Sequence, residues 1–412
     1  MRVTLFIAKR IAFNRQKSFS RFIIRLAVAA TALSVAAMII TIAFVTGFQQ
    51  TVANKVFSFW GHIHVQEYEA SKALVAEETP LEENDTVQHI LHSIPEIKTV
   101  QVFATKSAVL EKAQNIEGVL IKGVDKNYNF SNLQPFLKKG KWIDFSDSLY
   151  SKNIVISQPV AEELNIKLND TVSVYFITPS EGKSTLRKLT VCGIYKTGIE
   201  EYDKLFALAD IRLLRRINHW SATGIGGYEI FLYDYNQIDT VNHLLYNQKQ
   251  LPGAWVSRSV KDVYPNIFDW LNIQNTNRDV IFIVMAIVAI INLITCLLIL
   301  VLERTRMVGI LKAIGASNGY IQQIFLYYAT IIAGIGVAAG FVAGIGLCLL
   351  QQYTGFIRLN ESAYYVSVAP VHIVWWQTVV VCLATLVVCF LSLVLPAPLV
   401  NRIQPVKAIQ FK

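Results

Sequence analysis

Three groups of residues in this sequence have types and spacings that could do chemistry. Gly182-Lys183-Ser184 has the ending of a phosphate-cradling loop. Such a loop needs another glycine five positions ahead of Gly182, so that its backbone N–H groups can wrap the anion, and position 177 is Ile. His62 and His64 alternate along a strand-like run, and His89 and His92 stand three apart on a helix-like one. Neutral imidazoles ligate zinc, so a weak metal site is one reading of these pairs. Solvated histidines are the other, and the one expected. Asn84-Asp85-Thr86 and Asn169-Asp170-Thr171 match the glycosylation sequon, a pattern common by chance. No Gly-x-Ser-x-Gly elbow and no His-Glu-x-x-His occurs. Of the five cysteines, Cys296, Cys348, Cys382 and Cys389 fall inside apolar runs and Cys192 stands alone in the polar middle. All five are expected to be buried small hydrophobes. No catalytic constellation and no metal set emerges, and the chain is expected not to be an enzyme.

The third group is Glu303 to Tyr320, ERTRMVGILKAIGASNGY, a polar-basic stretch between two long apolar runs. Glu303, Arg304, Arg306 and Lys312 surround a small-residue turn, Gly315-Ala316-Ser317. Charges at the end of a membrane span snorkel to the interface as a matter of course. The clustering with a turn that permits close backbone approach reads instead as a place where an external motor grips a membrane protein.

The elements around that stretch follow from composition. The chain has 412 residues, 53% hydrophobic and 16% charged, with a mean hydropathy of +0.41. Soluble chains carry about 25% charged residues, so this is a membrane protein. Residues 1–25 carry seven Lys and Arg and no acid, with Val3, Phe6, Ile7 and Ile11 at helical spacing. They read as a basic amphipathic helix on an anionic leaflet; a nucleic-acid arm is the weaker alternative, because the segment runs straight into a span. Uncharged or nearly uncharged runs predict four transmembrane helices at 26–48, 280–302, 321–350 and 373–395. The first has 23 residues without a charge, about 35 Å of helix, enough to cross a bilayer and too long for a cleaved signal peptide. The loop 303–320 has three basic residues and one acid, the loop 351–372 has Arg358 against Glu361, and the tail 396–412 has three basic residues and no acid. The basic excess places both termini and the 303–320 loop in the cytoplasm.

Between the first two spans lie 231 residues, 49–279, with 24 Lys and Arg against 27 Asp and Glu, the composition of a soluble domain. Strand-like runs at His62–Glu67, Val100–Leu110, Glu117–Val124, Ile154–Ser157, Thr171–Thr178 and Tyr228–Tyr233 mix with helix-like runs at Asp85–Ser93, Pro159–Leu164, Asp210–Asn218 and Asp239–Asn247. The fold class is therefore membrane α-helical with a large α+β domain on the outer side. Two lobes are expected, a β-rich one over about 96–205 and a membrane-proximal one made of the flanks. In the third span Gly336, Gly340 and Gly344 stand four apart, a face that lets another helix approach closely. Its partner is expected to be a helix of the same chain ahead of a second copy. No Asp, Glu, Lys or Arg lies inside a span, which argues against a proton pump or ion channel.

These residues carry a resemblance. ERTRMVGILKAIGASNGYIQQIF is similar to the signature of FtsX-like ABC permeases of the type VII, mechanotransmitting fold, and Pro396 to Gln410, PAPLVNRIQPVKAIQ, resembles that family's ending. Gly118–Asp125, GVLIKGVD, together with Gly193–Asp203 and Tyr364–Val371, resembles the lipoprotein-releasing branch, LolC/LolE. Ile154–Asp170 resembles a strand-helix-Gly-Asp element of that branch, with Asn169 where Gly is usual. The resemblance implies a permease subunit in the inner membrane of a bacterium with two membranes. Two such chains, as a homo- or heterodimer, would work with two copies of a separate cytoplasmic ATPase, which holds the ATP and Mg, so that no cofactor sits on this chain. It implies a short coupling helix in the 303–320 loop, with Glu303, Arg304, Arg306, Met307 and Lys312 against the ATPase and Gly315, Ala316 and Ser317 at the turn. It implies a lipoprotein substrate and a periplasmic lipoprotein carrier, and no nucleic acid. A substrate cleft is expected between the outer-leaflet ends of the first two spans: Ile42, Val45, Phe48, Phe57, Phe59 and Trp60 facing Phe268, Trp270, Ile281 and Val284. For any one of these aromatics an interface belt is the plainer reading. Two other roles share the fold: a macrolide or peptide export permease, and a signalling or cell-division permease that activates a periplasmic partner, for which the outer domain is too large.

Overall fold

The computed structural model describes residues 4 and 6 and residues 19–68, 77–147, 149–178, 183–246 and 251–394. The tail expected over 396–412 lies outside these, as does most of the N-terminal helix expected over 1–25. The described residues fall in two compact units. One lies within Met1–Gln50, Trp270–Leu359 and Val368–Lys412; the other is Thr51–Asp269 with Asn360–Ser367.

Helix α1, Phe19–Trp60, runs 42 residues and continues well past the uncharged run. Gln49 to Trp60 contains neither Pro nor Gly, so nothing breaks the helix where the apolar run ends. Beyond it come β1 (Ile63–Glu67), β2 (Leu81–Glu82), α2 (Asp85–Ser93), β3 (Ile97–Lys112), β4 (Asn115–Val124), β5 (Leu137–Gly140), β6 (Asn153–Ser157), α3 (Gln158–Glu163), β7 (Thr171–Thr178), β8 (Lys183–Tyr195), β9 (Phe206–Asp210), α4 (Ile211–Ile217), β10 (Gly224–Ile225), β11 (Gly227–Leu232), α5 (Ile238–Tyr246) and β12 (Trp255–Ser259). Ten of these strands form one sheet in the order β12-β1-β11-β3-β4-β9-β6-β8-β5, with β7 joined to both β3 and β8.

That sheet runs through both of the expected lobes. β3 is 16 residues long. Its first half pairs with β11 from the C-terminal flank and its second half with β7 from the centre. One strand therefore joins the flanks to the β-rich centre. The octapeptide Asn360–Ser367, expected to be part of a plain outer loop, also belongs to this unit. Its Glu361 accepts from Lys196 at 2.6 Å, and Lys55 donates to the Tyr365 carbonyl at 2.7 Å.

Local chemistry explains several of the motifs. Asn84 caps α2, its side chain accepting from the backbone N–H of Thr86 and Val87 at 2.9 and 3.2 Å, the usual work of Asn at an N-cap. Asn169 has φ +67°, a left-handed conformation that Asn tolerates better than most residues, which is why it can stand where Gly is usual. Cys192 is buried, with its Sγ 3.6 Å from the Ile154 carbonyl.

The histidine pair is aromatic core. His64 is sandwiched between Trp60, 3.5 Å away, and Phe103, 4.2 Å away. His62 stacks on Phe57 at 4.2 Å and accepts the Leu232 N–H on Nδ1 at 3.2 Å. Burial, reinforced by Lys98, lowers the pKa of His62 from 6.5 to about 4. A depressed histidine contributes stability that is complete above pH 6.5 and is lost as pH falls toward 4. A shift of this size corresponds to about 3 kcal/mol. Denaturant unfolding of the purified chain is expected to show that loss between pH 6.5 and 4, and His62→Gln to flatten it. An unchanged pH profile in the variant would contradict the assignment.

Four longer helices follow: α6 (Pro265–Glu303), α7 (Thr305–Ala313), α8 (Asn318–Thr354) and α9 (Trp375–Val394). α6 begins 15 residues before the expected span, with Pro at its first position, where a missing N–H is harmless. Among the described residues three helices are long and apolar enough to cross a membrane: Ile24–Trp60, Pro265–Glu303 and Asn318–Thr354. The described apolar stretch of α9, Trp375–Leu391, is shorter, so three of the four expected spans meet that length among the described residues. Gly336, Gly340 and Gly344 lie against α1. A Cβ on Gly336 would meet the Thr31 Cβ at 2.8 Å, one on Gly340 the Ala32 carbonyl oxygen at 2.5 Å, and one on Gly344 the Ile39 Cβ at 3.1 Å.

Candidate functional site

Glu303 ends α6, and Arg304 breaks the helix with φ −105° and ψ 17°. The next nine residues form α7, which holds Arg306, Met307 and Lys312. The helix is closed at its C-terminal end by Gly315, whose φ of +92° lets its N–H reach the Lys312 carbonyl at 3.0 Å while Ala316 N–H reaches that of Leu311 at 2.9 Å. This is the left-handed closure that Gly adopts at little steric cost. Ser317 then caps α8, its hydroxyl accepting from Tyr320 N–H at 3.3 Å. The stretch is thus a helix–turn–helix, and the eight residues singled out from it are brought together on it.

One face of α7 is anchored. Val308 is fully buried among Val301, Ile321, Ile324, Phe325 and Tyr328, with Met307, Leu311, Ala316 and Tyr320 against the same cluster. The opposite face is open. Arg306, Ile310 and Ala313 are exposed at helical spacing, and the apolar members of this surface, Leu302, Ile310 and Ile314, are 69%, 50% and 75% exposed. Exposed isoleucines beside an arginine on a firmly seated short helix have the composition that contact surfaces favour. The exposed isoleucines were not among the candidates from sequence. Ile310 and Ile314 stand four and eight residues after Arg306, a helical face readable once the segment is taken as helix.

The expected cleft residues are dispersed. In the helical unit, Val45 and Phe48 are buried, Phe48 lies 5.0 Å from Trp270, and Ile42 is half-buried against Val35, Met38 and Val337. Ile281 and Val284 are exposed. In the sheet unit, Phe57, Phe59 and Trp60 are buried. Phe57 stacks on His62 and on the half-buried Phe268, and Phe59 stacks on Tyr202 and Tyr195. These three are core of the α+β domain rather than lining of a membrane cleft, because α1 carries on as a helix into that domain. The helical unit does contain an apolar cavity of about 260 Å³ among α1, α6 and α9, with Met38, Phe282, Ala286, Ala289, Val381 and Cys389 in its wall. None of the expected cleft residues lines it. Among the described residues no group of three His, Cys, Asp or Glu could hold a metal ion.

With this geometry in place, comparison with known proteins is informative. Residues 26–231, half of the chain, match the MacB-like periplasmic core domain family. The chain belongs to that family. Residues 280–405 match the FtsX-like permease C-terminal family, so this MacB-like permease carries its α7 site inside the FtsX-like part. Curated relatives extend over nearly the whole chain. The lipoprotein-releasing system transmembrane protein LolC of Xylella fastidiosa is 22% identical over 97% of this permease and 96% of its own length. LolE of Haemophilus influenzae is 22% identical over 99% of both, and LolC of Neisseria meningitidis is 22% identical over 97% and 96%. Among solved structures, the periplasmic region of MacB from Actinobacillus actinomycetemcomitans shares 14% identity over 50% of this permease and 92% of that chain, at a TM-score of 0.34. The FtsX-like match and these relatives make the chain a transmembrane permease subunit.

Proposed function

We propose that this chain is the membrane subunit of an ATP-driven complex that releases lipoproteins from the bacterial inner membrane toward the outer membrane. The ATPase, with its ATP and Mg, is carried on a separate cytoplasmic chain and docks on the open face of α7. A second permease chain completes the complex, and a periplasmic carrier takes up the released lipoprotein. In this reading α9 is the fourth span, both termini are cytoplasmic, and the sheet domain is periplasmic. The observation that carries the proposal is α7 itself: a short helix seated by Val308 and presenting Arg306, Ile310 and Ile314 outward, in a chain whose full-length relatives are named for lipoprotein release. α1 and α6 are the routes by which movement reaches the outer domain, since both run unbroken beyond the uncharged stretches.

Energetics require such a motor. Each buried CH₂ of an anchor contributes about 0.8 kcal/mol, and a triacyl anchor has on the order of 45, so transfer to water costs roughly 36 kcal/mol. Spontaneous release is out of reach. Depletion of the protein in its own cells is expected to leave outer-membrane lipoproteins in the inner membrane, read by fractionation. Correct lipoprotein sorting accompanied by new sensitivity to macrolides or peptides would instead support the export reading, and normal sorting with a division defect the signalling one.

A further inference from the structure

Where α1 meets the sheet, a buried ion pair is hydrogen-bonded to the helix backbone. Lys122 on β4 and Glu229 on β11 are 3% and 0% exposed, on strands that flank β3. The Lys122 Nζ lies 2.9 and 3.0 Å from the two Glu229 carboxylate oxygens and donates to the Phe59 carbonyl at 2.6 Å. The Tyr128 hydroxyl stands 3.4 Å from Glu229 Oε2. The Phe59 carbonyl belongs to the last turn of α1, where carbonyls have no N–H partner within the helix and the negative end of the helix dipole favours a cation. The flanking residues fix the same spot. Trp60 stacks on His64 at 3.5 Å, and His64 stands directly opposite Glu229 in the β1–β11 register. Gly61, at φ +69°, turns so tightly that a Cβ would lie 2.7 Å from the Glu229 Cγ.

A buried ion pair is a weak means of stabilising a fold, because apolar residues of similar volume often serve as well. What apolar residues cannot do is hold a helix carbonyl. We propose that Lys122 and Glu229 are positioning residues that lock the last turn of α1 onto the sheet, so that displacement of this helix is delivered to the β-domain instead of being absorbed where the two join. The inference rests on the functional reading above, in which ATP-driven movement reaches the domain through the long helices.

The test uses the purified complex of permease and cognate ATPase in lipid. Lys122→Met with Glu229→Leu removes the charges and the donor, and Lys122→Arg keeps both. The apolar double variant is expected to retain thermal stability and ATP hydrolysis while lipoprotein released per ATP hydrolysed falls by about tenfold, the scale of a typical coupling free energy; Lys122→Arg restores it. Should that variant fail to fold, Lys122→Met with Glu229→Gln, which likewise leaves no donor at position 122, is measured in its place. A folded double variant that releases lipoprotein as efficiently as the wild type overturns the proposal. A second readout does not depend on substrate: the nucleotide-dependent change in amide exchange over Val119–Val124 and Gly227–Leu232. It is expected in the wild type and lost in the double variant, and its persistence there overturns the lock. If the wild-type complex hydrolyses ATP without releasing lipoprotein, the functional reading fails while the exchange comparison still decides the lock.

Discussion

Gly340→Leu is expected to destabilise the helical unit. The Gly340 Cα faces α1 so closely that a bare Cβ would lie 2.5 Å from the Ala32 carbonyl oxygen, 2.8 Å from the Val35 Cβ and 3.0 Å from the Ala32 Cα. Two of these three neighbours are backbone of the opposing helix, which has no rotamer with which to yield. Accommodation therefore means moving α1 away from α8, which also opens the contacts at Gly336 and Gly344 on the same face. Overpacking costs about 1–3 kcal/mol in forgiving cores, and a clash with helix backbone belongs at the top of that range. A fall in melting temperature on the order of 10 °C in detergent follows, at about 3 °C per kcal/mol for a cooperative unit the size of the helical one. Gly334 and Gly346 lie on the same helix with nothing within 4 Å of a built Cβ, and Leu there is expected to leave the melting temperature unchanged. Equal losses at Gly340 and Gly346 would mean that helix propensity or insertion, not the α1–α8 crossing, sets the effect.

The glycine face was legible from sequence because small residues at i, i+4 and i+8 have few other uses in an apolar helix. The alternation and capping signals of the α+β domain were equally direct: Thr171–Thr178 and Asp85–Ser93 were read with the bounds that the fold shows. The strands missed have physical reasons. β8 is half polar, KSTLRKLT, before turning apolar, and FALAD of β9 has no β-branched residue while WVSRS of β12 has only one. The single sheet was out of reach, since the pairing of β3 with β11 joins residues more than a hundred positions apart, and local pattern carries no record of such pairings. Helix length beyond the uncharged run was hidden for a related reason. Hydropathy marks where a helix is apolar, whereas the end of α1 at Trp60 is set by what the sheet does with Phe59, Trp60 and Gly61.

Of the candidate site, the turn was legible and the exposed isoleucine face was not. Gly315 and Ser317 announce themselves, one by the left-handed φ it supplies and the other by its cap on α8. Charge drew attention to Glu303, Arg304 and Arg306, although only part of that cluster shares a face with the exposed isoleucines. The aromatic residues grouped as a cleft were chosen by proximity to the predicted span ends. Once α1 is known to continue, the same residues become domain core, and the group loses its common surface. Lys122 and Glu229 gave no signal at all, because a buried pair can be recognised only from the register that brings β4 and β11 to either side of β3.

Glu at position 310 or 314 is expected to abolish docking of the ATPase without unfolding the permease. Both isoleucines are exposed, so neither substitution opens a cavity or buries a charge within the chain, and the melting temperature should hold. In the docked complex each would place a carboxylate in what has become a dry contact. Loss of a central interface anchor costs about 2–4 kcal/mol, roughly 30- to 900-fold in affinity. Titration of purified permease with its ATPase, read by binding and by stimulated hydrolysis, measures this. Gly315→Trp attacks the same surface by a different route. A Cβ at Gly315 meets nothing within 4 Å, but φ +92° is a conformation that a tryptophan adopts only at a cost of about 1–3 kcal/mol, and the end of α7 must reset. All three variants should therefore weaken docking, with the two Glu variants doing so at unchanged stability and Gly315→Trp with some loss of it. Undiminished binding and hydrolysis in Ile310→Glu and Ile314→Glu would remove α7 as the motor's contact and move the search to the other exposed edges of the helical unit.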